Sequence, residues 1–293
     1  MPKTEAPKIT AGYYIIRGGS AGRERLRLLS RVMHGATTRL LDRVGVRPGM
    51  SYLDMGCGGG DVTIELAKRA GPTSQIVGED IDTIKLSLAE QESKAQGFPN
   101  IVFRCADVYG TPNEVVAAVP PAFDFIYVRF LLTHLPNPRT ALSRLVKRLR
   151  PGGMLVVEDI DFSGHLCYPE HPAFRSYHEL HIESMHRRGG DPYIGPKLPG
   201  MLKEAGLCQI EVNVEQPIGI TGEVKLVPAI TMENISEAVL ADGLCTKEEL
   251  ATVIGQLHQL AQDETTLTGM PRIIQTWARR GPKLGRTEPG TSQ

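Results

Sequence analysis

The feature that most restricts the fold is the run Tyr52-Leu53-Asp54-Met55-Gly56-Cys57-Gly58-Gly59-Gly60-Asp61, where an apolar stretch passes into a glycine cluster and then a helix start. Glycine at such a junction takes positive φ without a side-chain clash. It also lets a ligand approach the main chain, whose free N–H groups gather at the helix N-terminus. The spacing is G-x-G-x-x-D, so Asp61 stands where a dinucleotide fingerprint has its third glycine. Asp54, two residues before the first glycine, is poorly placed for a pyrophosphate and well placed for a cation.

Short apolar runs then alternate with longer amphipathic stretches. Strands are expected at Ser51–Met55, Gln75–Asp80, Ile101–Cys105, Phe123–Arg129 and Met154–Asp159, with helices at Asp61–Arg69, Ile84–Gln96, Asn113–Ala118 and Pro138–Leu149. This βαβ rhythm predicts an α/β, doubly wound parallel sheet with helices on both faces, because right-handed crossovers allow little else. Upstream, Leu26, Leu29, Val32, Met33, Leu40, Leu41 and Val44 recur at helical spacing and predict one amphipathic helix over Arg23–Val44, with Gly35 as its weak point. Downstream, a His-, Tyr- and Pro-rich stretch runs to Tyr193. A helix over Lys197–Ala205 and a sixth strand over Gln209–Val214 follow. Residues 223–264 predict two helical pieces parted at Asp242 and Gly243, the second opened by a Thr246/Glu249 capping box. Ile273–Ala278 supplies a seventh strand.

An acid follows each of the first three strands or closes it: Asp54, Asp80 and Asp107. An acid after the second strand is placed to accept hydrogen bonds from both hydroxyls of a ribose lying across the sheet edge, and Asp80 is preferred over Glu79 and Asp82, which read as solvated turn carboxylates. Over Pro48–Gly206 the chain resembles the class I S-adenosylmethionine-dependent methyltransferases, with ubiquinone/menaquinone-type and other small-molecule enzymes among its relatives. The resemblance rests on the glycine turn, the three acids, Phe123-Asp124, Arg129-Phe130, His134-Leu135, the turn Arg150-Pro151-Gly152-Gly153, and Glu158.

The resemblance implies a Rossmann-like seven-stranded sheet in the order 3-2-1-4-5-7-6, its last strand antiparallel. It also implies S-adenosyl-L-methionine as cofactor and S-adenosyl-L-homocysteine as product. By the same resemblance, the backbone at Gly56, Cys57 and Gly58 would hold the methionine part, with Asp54 near its amino group. Asp80 would bind the ribose, Ile81 would pack on the adenine, Asp107 would meet the adenine amine, and the Ala106 and Val108 backbones would lie beside the ring. Arg129 and Phe130 would border the methionine end, and Tyr14 resembles an aromatic that relatives close over the cofactor. Where such chains often carry a glutamine in the first helix, this one has Leu29.

The acceptor would lie under the insertion after the fifth strand, where His165, His178 and Tyr193, with His134, are candidate lining residues. His134 reads as a packing or hydrogen-bonding group near the cofactor, and the histidine spacing gives no metal pattern. The chain thus divides into an arm and helix over 1–45 able to act as a lid, a cofactor-binding core over 46–161, an acceptor-side insertion with the last strands and helical cap over 162–281, and a tail over 282–293.

Composition narrows the partners. Thirty-three basic residues balance 33 acidic ones, so no overall field draws the chain to nucleic acid or anionic lipid. No apolar run is long enough to span a membrane, and five scattered cysteines without C-x-x-C spacing fit a soluble, cytoplasmic protein. The expected partner is a small-molecule methyl acceptor, with the oligomeric state, a homodimer included, left open. Two rivals stand beside methyl transfer: a nicotinamide-linked oxidoreductase, disfavoured by Asp54 and Asp61, and a non-catalytic S-adenosylmethionine-binding protein.

Overall fold

The computed structural model describes residues 19–110, 120 and 122–282. Its frame is a seven-stranded sheet of β1 (Ser51–Met55), β2 (Gln75–Asp80), β3 (Ile101–Cys105), β4 (Phe123–Arg129), β5 (Leu149–Asp161), β7 (Leu207–Glu215) and β10 (Arg272–Arg280). The order is β3-β2-β1-β4-β5-β10-β7; the first five strands are parallel, and β10 runs antiparallel to both β5 and β7. Counting only the strands of this sheet, that is the expected 3-2-1-4-5-7-6 arrangement.

Helices cover both faces, and each strand's alternation divides its side chains between two cores. Leu53, Val77, Val128 and Leu155 pack against α4 (Pro138–Arg148) and α6 (Leu198–Glu204). Tyr52, Ile76, Tyr127 and Val156 pack against α1 (Gly19–Val44) and α2 (Asp61–Ala70). Burial on both faces is why these strands read as continuous apolar runs. A further layer of α5 (Pro172–Arg187), α7 (Val227–Ala241) and α8 (Lys247–Gln262) packs around Phe174, Tyr177, Met232 and Ile235. The Thr246/Glu249 capping box opens α8.

Four points depart from expectation. The first helix is continuous through Gly35, since a single interior glycine costs only about 1 kcal/mol and the apolar stripe on either side is buried. A small second sheet was not anticipated; β6 (Leu166–Tyr168), β8 (Ile218–Gly219) and β9 (Leu267–Gly269) pair in the order β6-β9-β8. Its strands are too short to carry a period. Asp82 is no solvated turn carboxylate, for it N-caps α3 (Thr83–Ala95) by accepting from the Ile84 and Lys85 N–H groups. The helix expected over Asn113–Ala118, Tyr14 and nearly all of the tail fall outside the described residues.

Glu79 is the second acid misread as a solvated turn residue. Its side chain is fully buried and takes a bidentate pair from Arg148, at 2.6 and 2.8 Å, together with a bond from Arg104. Three elements, β2, β3 and the end of α4, are joined through this one carboxylate. Glu79→Ala would leave two guanidinium groups without their anion and should lower stability by about 3–5 kcal/mol. Urea unfolding checks this through a drop in midpoint at constant slope.

Candidate functional site

The glycine turn leaves β1 with Gly56 and Gly58 at φ 75° and 51°, and Gly60 at 78° hands the chain to α2. Two contacts show why side chains are refused here. A Cβ on Gly58 would come within 2.8 Å of the Leu26 side chain from α1, and one on Gly60 within 2.9 Å of Ala89. The turn is tied to the neighbouring strand end: the Gly56 and Cys57 N–H groups donate to the Glu79 carbonyl at 2.7 and 3.0 Å, and Gly58 N–H donates to Asp80 Oδ2 at 2.8 Å. From the other side Arg23 Nη1 donates to the Gly59 carbonyl at 3.2 Å.

Above this turn lies a cavity of about 320 Å³ whose wall includes Asp54, Gly56, Cys57, Gly58, Asp80 and Ile81. Asp54 is buried, accepts from Thr63 Oγ1 at 2.6 Å, and is pushed up to about 6 by burial. Asp80 Oδ1 accepts from Asp82 N–H at 2.9 Å, so two backbone donors occupy its carboxylate. A carboxylate offers about four acceptor positions, which leaves room for two more donors. At the end of β3, Ala106 N–H donates to the Asp80 carbonyl at 2.9 Å and Asp107 Oδ1 accepts from Tyr109 N–H at 2.8 Å. Ala106, Asp107 and Val108 follow β3 next to this wall but do not line the cavity, and the Val108 side chain is in the core.

Arg129 and Phe130 close the end of β4 and both line the cavity. Arg129 donates to Thr37 Oγ1 at 3.0 Å and lies in the field of Asp54 and Asp61; burial pulls its ionisation down. Phe130 has φ 52°, a costly conformation for an aromatic residue, and is pinned by its N–H bond to the Glu158 carbonyl at 2.9 Å. The loop beyond it is held by Asp159, which accepts from Thr133 N–H at 3.1 Å and Ile160 N–H at 2.9 Å. That loop brings Thr133 and His134 into the cavity wall.

The cap half of the cavity uses residues that the sequence reading did not select. Arg25 from α1, Tyr177 and His181 from α5, and Thr231 from α7 line it. His165 and His178 stand behind this wall instead: their rings pack on Phe162 at 5.2 and 5.6 Å, and His178 Nε2 is 3.1 Å from the Phe162 carbonyl. Tyr193 lies outside the lining, with its ring 6.3 Å from that of His186. Leu29 does line the cavity, as an apolar contact. Among the described residues no group of three histidines, cysteines or acids is arranged to hold a metal ion.

Residues 47–187 match a family described as a methyltransferase domain. The chain carries a class I S-adenosylmethionine-dependent methyltransferase domain. It is 31% identical over 198 residues to methyltransferase str3 of Strobilurus tenacellus, covering 65% of this chain and 66% of that protein. It is 26% identical over 166 residues to demethylmenaquinone methyltransferase of Lactococcus lactis, covering 57% of this chain and 60% of the relative. The matched region is thus under two thirds of these relatives' own lengths. A solved structure of a methyltransferase from Bacillus halodurans superposes with a TM-score of 0.55 at 17% identity, over 84% of this chain and 98% of that one, and shares its fold.

In this domain the supports of the site carry a pH signature. Glu158, fully buried, accepts from Gln275 at 2.8 Å and from Tyr127, and burial pushes it up to about 7. Asp159 is likewise pushed up to about 7 by burial. Both carboxyls hold a proton more tightly folded than unfolded, where an acid titrates near 4, so this stabilisation is complete below about pH 4 and lost as pH rises through 7. Glu158→Gln copies the protonated form. Urea unfolding at pH 5 and pH 8 should give similar stability for the two proteins at pH 5 and roughly 1–3 kcal/mol in favour of the variant at pH 8.

Proposed function

We propose that this chain is an S-adenosyl-L-methionine-dependent methyltransferase that moves a methyl group to an O, N or C atom of a small-molecule acceptor by in-line substitution, leaving S-adenosyl-L-homocysteine. The observation that carries this reading is one cavity in which the glycine turn, buried Asp54 and strand-end Asp80 share a wall. When bound, the donor supplies a methyl group activated by a sulfonium.

The residues fit such a donor. Asp54 is a buried carboxylate within the cavity, suited to an ammonium, and the remaining acceptor positions of Asp80 suit a pair of ribose hydroxyls. Ile81, 40% exposed beside Asp80, offers an apolar surface to a base, and Asp107, which follows β3 beside the wall, is retained as the acid for an exocyclic amine. Tyr14 is retained as an aromatic closing over the donor. Arg129 and Phe130 border the opposite end, and the apolar side chains of the cap half exclude water, which alignment of two reactants requires. A pyrophosphate is poorly served, since four acids, Asp54, Asp61, Asp80 and Asp82, line the cavity around the glycine turn, while Arg129 is engaged by Asp54 and Asp61 and Lys85 by Asp82. That charge distribution weighs against the nicotinamide-linked alternative. The cavity under the helical cap and the balanced net charge favour a small acceptor over nucleic acid or a membrane surface; among the described residues no helix is long and apolar enough to cross a bilayer.

Calorimetry with S-adenosylhomocysteine and NAD in parallel tests the reading: heat from the first alone is expected, and heat from NAD alone overturns it. Asp80→Ala should weaken S-adenosylhomocysteine binding by about 1–3 kcal/mol through the loss of charged hydrogen bonds. Binding should also depend on pH through Asp54, which must be ionised to meet an ammonium. Affinity is full above pH 6 and falls as pH drops through that value, by about tenfold per unit once Asp54 is protonated, and Asp54→Asn should flatten the profile.

A further inference from the structure

The two halves of the cavity differ in charge, and the difference selects an acceptor; the inference rests on the methyl-transfer reading above. The acids in the described wall come from the end of β1 (Asp54), the start of α2 (Asp61), the end of β2 (Asp80) and the N-cap of α3 (Asp82), and they outnumber the cations among them, Arg129 and the Lys85 that stands 3.4 Å from Asp82. The cap half carries a cation instead. Arg25, 8% exposed, reaches the wall from α1, one residue before the Leu26 that packs over Gly58, and so lies beside the donor half. Its Nε donates to Thr231 Oγ1 at 3.2 Å, and the Tyr177 hydroxyl bonds to the same threonine.

His181 adds a second, independent observation. It is 4% exposed, lines the cavity, and its Nδ1 is buried without a hydrogen-bond partner among the described residues. The edge-on Phe162 ring, at 4.8 Å, and the Tyr177 ring, at 5.6 Å, hold the imidazole in place. A buried polar atom left unpaired is costly, and a ligand oxygen that pairs with it regains that cost. A guanidinium and an imidazole on the side of the described wall that holds no acid match a carboxylate, the planar anion for which arginine geometry is best suited.

The fate of a proton narrows the class further. Burial and the field of Arg25 push His134 down to about 3 and His181 well below its ordinary range, and burial pushes Tyr177 up to about 12. None of these three side chains therefore takes a proton from an acceptor near neutral pH, as a phenol or alcohol would require. A carboxylic acid arrives already ionised.

We propose that the acceptor is an apolar carboxylic acid, bound as its carboxylate to Arg25 with His181 as the second polar contact, and that it leaves as the methyl ester. A carboxylate oxygen lone pair forms the new O–CH3 bond while the S–CH3 bond breaks, its electron pair remaining on sulfur. The negative charge of the acid and the positive charge of the sulfonium cancel, so no proton is released. The ester lacks the charge that Arg25 holds, which favours its release.

The test uses the full chain saturated with S-adenosylhomocysteine, titrated with octanoate, benzoate and trans-cinnamate, each beside its primary amide, and with phenol. A parallel assay with methyl-labelled donor looks for a base-labile product. At least one acid should bind about tenfold or more tightly than its amide and yield labelled ester. Arg25→Met should weaken that acid by about tenfold or more with S-adenosylhomocysteine affinity within about twofold of the parent, and Arg25→Lys should restore part of the loss. Unchanged product affinity also shows that the variant folds. Equal binding of acid and amide, no acid binding to the loaded protein, transfer to phenol alone, or indifference to Arg25→Met each overturns the proposal. Failure of S-adenosylhomocysteine itself to bind overturns the donor reading instead, and this inference with it.

Discussion

The site depends on how the end of β1 is fastened to the end of β2. Two peptide N–H groups of the glycine turn bond the Glu79 carbonyl, and a third bonds the Asp80 carboxylate. The Glu79 side chain meanwhile anchors the same residue to Arg104 and Arg148. One residue's backbone shapes the turn while its side chain locks the strand that carries it. A carboxylate buried between two arginines is poor as a source of net stability but strong as a device for register, because any slip leaves charges unpaired in a dry interior.

That fastening explains which parts were legible from sequence. The first four strands have the expected bounds, and β5, β7 and β10 only extend at their ends. Strands buried on both faces announce themselves as short apolar runs, and glycines mark the turn where the backbone has no alternative. Asp54 and Asp80 were legible for the same reason, since an acid closing an apolar strand has few structural explanations. Glu79 was misread because its partners, Arg104 and Arg148, are 25 and 69 residues away in sequence and nothing local signals them.

The cap half was less legible because a helix face has to be phased before its residues can be assigned. Tyr177 and His181 are four residues apart on α5 and share the cavity face, whereas His178 lies one position on and turns toward the Phe162 carbonyl. The histidine-rich segment was correctly read as lying near the cavity, but composition cannot choose between adjacent positions of a helix. Arg25 had a usable signal. A basic residue next to the apolar stripe of α1, at Leu26 and Leu29, is positioned to be drawn into the same cover.

The division of charge within one cavity also constrains how its two halves act together. The donor half gathers carboxylates where positive groups would sit, outnumbering Arg129 and Lys85 there, and among the described residues the cap half has no acid and holds the Arg25 guanidinium in low dielectric. Each half is unfavourable for a ligand of the wrong sign, so the two ligands would be sorted by repulsion as well as by contact. Bringing a cation and an anion together in such a site strengthens their attraction, and reaction between them removes both charges. The same wall would then hold the neutral products less tightly than the pair it admitted.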